Sequence, residues 1–336
     1  MDPRSVLDVE QVPHGGTGDP SLLDFSVGIN PEVPRGLSPS YESSLSASRR
    51  FPLDDHAEFR TAAASHLDCE PRSAVPVAGY VAGVRLALGV TVAAGDSVLV
   101  PAPACGEYTR EARLQGASVT RAPVVDLLER DPAPHAAVVL ASPGSPTGYA
   151  YDEAALRAYA ERCRDADTVL LVDETFLGFT DRPSLAGEPG VVVVQSLTNL
   201  FGLPGLRAGV AAAVGALRER LERARCTWTL SVPAVAVTTE CLGNREFLER
   251  TRERIREERA RLVDRLSDLG FDVHPGDGPL VLFETTRPVA VLKERTREHG
   301  IAVRDATTYR ELDSHVRVTV RLPEENDRLL RALEAV

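Results

Sequence analysis

Four stretches of the 336-residue chain carry side chains able to hold charge at one edge of a sheet. Asp173 closes the apolar run LLVD and opens DETFLGF. A carboxylate there is costly without a partner, and open parallel sheets hold their ligands at the carboxyl ends of their strands. The segment 195–209, QSLTNLFGLPGLRAG, follows the next apolar run with two hydroxyls, a Pro-Gly turn and an arginine. Ser196, Thr198 and Arg207 suit a phosphate, as hydroxyl donors beside a fork-shaped cation. SPGSPTG (142–148) is a turn-rich loop on the same edge. Arg304 and Arg317 lie on or beside late strands, where guanidinium groups pair with carboxylate or phosphate. Singly, each has an ordinary reading. Asp173-Glu174 could cap a helix, SPGSPTG could be only a turn, and an arginine could be a surface ion pair. Their order along the chain makes them a set.

The elements that would position them alternate between strand and helix, which predicts an α/β fold with a mainly parallel sheet flanked by helices. Residues 97–101, 136–141, 168–173 and 190–195 are short, β-branched and apolar on both faces, as buried parallel strands are. Helical patterns lie at 80–92, 105–115 and 152–164, the last with Ala154, Leu156 and Tyr159 as its sheet-covering face. From 244 to 269, Leu248, Ile255, Leu262 and Leu266 recur among dense charge, predicting a long connector helix stopped by Gly270. Strands at 279–284, 301–304 and 315–321 and helices at 287–298 and 323–335 then make a small α+β domain. The division is an arm over 1–50 with little core of its own, a large domain over 51–243, and the connector and small domain over 244–336.

Length alone allows about two domains. With 49 acidic against 38 basic residues, the formal charge is -11, which argues against a nucleic-acid partner. No apolar stretch approaches the ~20 residues that span a bilayer, and the N-terminus lacks a signal-peptide pattern. A soluble, cytoplasmic protein is expected. The five cysteines form no CxxC pair, so neither a zinc ribbon nor a disulfide framework is expected, and no metal site. Lys293 is the sole lysine, which removes almost all lysine chemistry in advance.

The ordered motifs resemble the fold-type I pyridoxal-phosphate (PLP) enzymes of aminotransferase class I/II, in the branch of histidinol-phosphate aminotransferase and the cobalamin-pathway L-threonine-O-3-phosphate decarboxylase. HGG (14–16) and LDFSVGINP (23–31) are similar to an HGG…DFSxNINP opening, and FPLDDHAEFR (51–60) to an RYPD-plus-LR stretch. PAPACGEY (101–108) is similar to PTFxEY, SPGSPTG to NPNNPTG, DETFLGF to DEAFxDF, and SLTNLFGLPGLRAG to SLTKxFGxPGLRxG. RDATTY (304–309) and HVRVTVR (315–321) resemble two C-terminal arginine motifs. The resemblance covers nearly the whole chain and implies a homodimer. It implies that Asp173 meets the pyridine nitrogen, that Ser196, Thr198 and Arg207 hold the cofactor phosphate with Gly79 in the turn beside them, and that Ser145 stands by the ring oxygen. It further implies that Arg317 and Arg304 take a substrate carboxylate or phosphate, under an arm carrying His14 and Asn30.

The pattern breaks where covalent chemistry would begin. The family's Schiff-base lysine falls at Asn199, and an amide can neither form the imine nor shuttle a proton as an amine does. Lys293 lies in a predicted surface helix and offers no rescue. The phosphate turn GNGATE aligns with VAGYVA (77–82): Gly79 survives, a bulky Tyr80 enters, and Val81 and Ala82 replace the hydroxyl and the acid. The ring-stacking aromatic is Cys105, the asparagine before PTG is Ser145, and the tyrosine of RYPD is Phe51. Two readings follow. One is a degenerate homologue that binds a phosphorylated amino acid or related metabolite, or pairs with an active paralogue. The other is an active decarboxylase or aminotransferase on a phosphorylated amino acid, holding PLP non-covalently. A single engineered Lys→Asn change in an active enzyme is disfavoured by the parallel losses at 51, 81, 105 and 145.

Overall fold

A computed structural model of the chain describes residues 1–335. The four apolar runs form adjacent strands, Ser97–Ala102, Ala137–Ala141, Val169–Asp173 and Val191–Ser196, paired in parallel. Ser118–Pro123 adds one parallel edge, while Gly209–Ala212 and Ala74–Val77 complete a seven-stranded sheet on the other side. Only Gly209–Ala212 runs against the rest. Both faces are covered. Val138, Leu140, Leu170 and Val172 pack into one core, and Val139, Leu171, Val192 and Val194 into another on the opposite face. Period-two alternation with both sides apolar is what a helix-sandwiched sheet requires.

Helices Tyr80–Thr91, Gly106–Leu114 and Glu153–Asp165 follow strands of this sheet. Glu153–Asp165 buries Leu156 and Tyr159 as expected, but Ala154, two residues before Leu156, falls on the opposite face and stays exposed. The connector helix spans Arg245–Asp268, with Asn244 capping the Phe247 amide and Gly270 at φ +85° just beyond its end. Its buried stripe includes Phe247, Leu248, Ile255, Leu262 and Leu266. The last third forms a four-stranded antiparallel sheet in the order Arg304–Asp305, His315–Thr319, Leu280–Glu284, Asp272–Val273.

The first 50 residues carry more core than their composition suggests. Leu23–Asp24 pairs in parallel with Ile301–Ala302, and Phe25 is wholly buried in the main core. Ser38–Ala47 is helical. Among the described residues, no helix is long and apolar enough to cross a membrane.

Candidate functional site

The strand order brings the sequence-selected residues to the carboxyl edge of the large sheet. Asp173 and Ser196 are the last residues of neighbouring central strands. The 142–148 loop leaves the strand next to Asp173, and Cys105 N-caps the helix after Ser97–Ala102.

Asp173 is buried and has no cationic partner among the described residues. Its Oδ2 accepts a 2.7 Å hydrogen bond from the Tyr108 hydroxyl, and its Oδ1 accepts one of 2.9 Å from the Thr175 amide. Burial raises its pKa, and the Thr175 and Tyr108 bonds oppose that rise. Tyr108 ends the PAPACGEY stretch, and no signal in that stretch links it to Asp173, because only the fold brings positions 108 and 173 together.

Position 199 is tied into its surroundings. The Ser196 hydroxyl donates to Asn199 Oδ1 at 2.7 Å, and Asn199 Nδ2 donates to the Gly28 carbonyl at 3.1 Å. The Asn199 carbonyl accepts from the Asn30 amide at 2.9 Å. Asn30 is itself buried, its Nδ2 donating to the Leu200 carbonyl and its Oδ1 accepting from Arg254. The structure thus uses the Asn30 side chain as a brace between the arm, this turn and the connector helix, rather than as a free ligand-facing group.

A turn with uncapped backbone amides adjoins this edge. The helix Tyr80–Thr91 starts after Gly79, and no side chain caps it. The first-turn amides of a helix have no acceptor inside it and favour negative charge. Arg207, at φ +56°, donates to the Pro204 and Ala78 carbonyls beside this turn. Ser196 and Thr198 are buried with their hydroxyls 3.4 Å apart. Gly79 sits at φ +86°, and a Cβ on it would come within 2.3 Å of Arg207 Nη2. Gly79→Ala is therefore expected to destabilise the protein by about 1 kcal/mol or more and to displace Arg207. Urea denaturation checks the first effect, and an unchanged midpoint contradicts it.

Arg304 and Arg317 stand directly opposite each other in antiparallel register, each about 6% exposed. Arg317 Nη1 donates to Ser145 Oγ at 3.0 Å and to the Tyr309 hydroxyl at 3.3 Å, and Nη2 donates to the Ser26 carbonyl. Arg304 donates to the His14 carbonyl and to Thr308, and its guanidinium lies 5.2 Å from the Tyr309 ring centroid. Each keeps an unpartnered buried Nε. Neither meets a carboxylate among the described residues. Burial lowers the pKa of Arg317, and Arg304 lowers it further by like-charge repulsion. Ser145 thus sits with the arginine pair. His14 reaches the site through its backbone, its own ring accepting from the Gly16 amide. Lys293 is helical, as expected, and its ammonium is engaged by Asp305 at 3.1 Å.

A family profile described as Aminotransferase class I and II matches residues 39–333. The chain is 28% identical to histidinol-phosphate aminotransferase 2 of Archaeoglobus fulgidus, over 95% of this chain and 94% of that one. It is also 28% identical to the threonine-phosphate decarboxylase of Salmonella typhimurium, over 96% and 93% of the two chains. A crystal structure of histidinol-phosphate aminotransferase from Sinorhizobium meliloti in complex with pyridoxal-5'-phosphate superposes with a TM-score of 0.83 at 18% identity, covering 93% of this chain and 89% of that one. The fold is that of the fold-type I aminotransferases, and the chain belongs to the class I and II aminotransferase family.

Proposed function

We propose that this protein binds a small phosphorylated amino acid or a related metabolite at Arg304 and Arg317 and does not run lysine-dependent PLP chemistry. The observation that carries this reading is the arginine pair itself. Two buried guanidinium groups facing each other without a carboxylate are costly to fold, and an anionic ligand relieves that cost. The relatives named for histidinol phosphate and threonine phosphate support the ligand class.

PLP, the cofactor of this family, meets only part of a site here. When bound and protonated at its ring nitrogen, it supplies an electron sink. Asp173 would meet that nitrogen, and the 80–82 amides, Ser196, Thr198 and Arg207 would hold its phosphate. Neither the anchor nor the ring slot fits. Asn199 is hydrogen-bonded on both sides of its amide, and Tyr80 reaches Cys105 across the position of the stacking aromatic. The surviving Asp173 favours a second reading, an active enzyme with PLP held non-covalently.

A homodimer is part of this proposal, supported by the exposed apolar side chains Phe51, Leu53 and Trp228, 77%, 80% and 49% exposed, with Phe51 and Trp228 stacked. Faces of that kind are covered by partners.

The test is calorimetric titration with O-phospho-L-threonine and L-histidinol phosphate, beside a turnover assay with added PLP. Micromolar binding without turnover is the expected result. PLP-dependent turnover by the wild type would overturn the reading in favour of the second.

A further inference from the structure

The two ends of the candidate site differ in how completely the protein satisfies its own polar groups. At the arginine end, the Nε atoms of Arg304 and Arg317 are buried without a partner. At the Asp173 end the side chains of Tyr80, Cys105, Tyr108 and Asp173 are paired with one another or with backbone. The Tyr80 hydroxyl and Cys105 Sγ lie 3.3 Å apart, Tyr108 donates to Asp173, and the Thr175 amide takes the other carboxylate oxygen. Buried polar groups left unpaired are costly, so an end that completes its own bonds has little need of a ligand.

Tyr80 closes this end by its position. It is the first residue of the helix Tyr80–Thr91, so its backbone amide belongs to the anion-facing turn beside Gly79 and Arg207. Its hydroxyl ends at Cys105, the N-cap residue of the helix Gly106–Leu114. The phenol therefore spans from the turn that would hold a phosphate to the position that would stack on a ring. Burial raises the Tyr80 pKa, and Cys105 and Asp173 raise it further, in keeping with a phenol enclosed against Cys105. The motif this turn resembles has a small alanine at position 80.

We propose that the Tyr80 ring fills the slot between the 79–82 turn and Asp173, and that this one side chain excludes planar phosphorylated pyridines from a pocket that otherwise keeps their phosphate and nitrogen contacts. The proposal rests on the reading that the chain does not use PLP, and it names the residue responsible.

The probe is pyridoxamine 5'-phosphate, which lacks the aldehyde that Lys293 could trap. Calorimetry is run on the wild type, Tyr80→Phe, Tyr80→Ala, Tyr80→Ser and Tyr80→Ala/Asp173→Asn, each with a matching thermal melt. Wild type and Tyr80→Phe should show no binding at millimolar probe. Tyr80→Ala should gain at least tenfold in affinity, and Asp173→Asn in that background should remove the gain. Wild-type binding as tight as that of Tyr80→Ala overturns the proposal. So does the absence of binding by both small-residue variants when either melts cooperatively. O-phospho-L-threonine is titrated into the same preparations. If it binds while the pyridoxamine phosphate gain fails, only the Tyr80 proposal falls. If wild type fails to bind it, the anion-site reading falls.

Discussion

Arg317→Met is expected to weaken phospho-amino acid binding by at least a hundredfold and, in the unliganded protein, to raise stability. The two effects share one cause. Arg317 is buried opposite Arg304, and its hydrogen-bond partners are Ser145, Tyr309 and the Ser26 carbonyl, none of them anionic. Arg317 therefore bears both the desolvation of a guanidinium and the repulsion of its neighbour. An unbranched apolar side chain removes both terms, and replacement of a buried charge by a well-packed apolar group stabilises by about 1 kcal/mol or more. Binding moves the other way, because the charge-assisted bonds to an anion are lost. A hundredfold loss corresponds to about 2.7 kcal/mol. Calorimetry with O-phospho-L-threonine and urea denaturation without ligand read the two halves separately. A variant that binds within threefold of wild type shows that the ligand anion does not meet Arg317. A large loss of stability shows that the guanidinium is a structural strut.

The second large effect is a pH dependence set by Glu174, the residue after Asp173. Its carboxylate accepts from the Ser184 hydroxyl at 2.6 Å and the Leu185 amide at 2.8 Å, inside the large domain. Burial nevertheless dominates and pushes its pKa from 4.5 up to about 7. The folded state thus holds a proton that the unfolded chain releases at lower pH. Stability from this group is complete below about pH 4.5 and is lost as the pH rises through about 7. Glu174→Gln has no such proton. From pH 5 to pH 8, wild type should lose up to about 2.5 kcal/mol relative to the variant. Urea midpoints of both proteins across that range measure the difference, and a constant offset between them would refute it.

How much of this was legible in the sequence depended on whether the signal was local. The four central strands announce themselves because a strand buried on both faces must be apolar throughout, and the connector helix because its leucines recur along one face. Gly209–Ala212 is short and rich in alanine, and Ala74–Val77 contains Pro76, so neither has the composition of a strand. Leu23–Asp24 pairs with residues almost 280 positions later. Such a two-residue pairing leaves no periodicity, which is why the arm reads as coreless. The site divides in the same way. Asp173 and the arginines stand out by residue type and place. The facing of Arg304 by Arg317, the bond from Tyr108 to Asp173 and the contact of Tyr80 with Cys105 are products of register and sheet order, which no short window of sequence contains. Asn30 misleads for the converse reason, since an asparagine in an arm motif looks free until the turn it braces is in view.

The hydrogen bonds of Asn199 bear on how the arm is attached. Its amide joins Ser196 on one side and the Gly28 carbonyl on the other. A lysine at this position would offer the Ser196 hydroxyl no acceptor and would have to turn its longer side chain back to reach the Gly28 carbonyl. An Asn199→Lys exchange would therefore loosen the tie between the 196–199 turn and the arm at Gly28, so that this asparagine carries part of the arm's attachment as well as standing at the site.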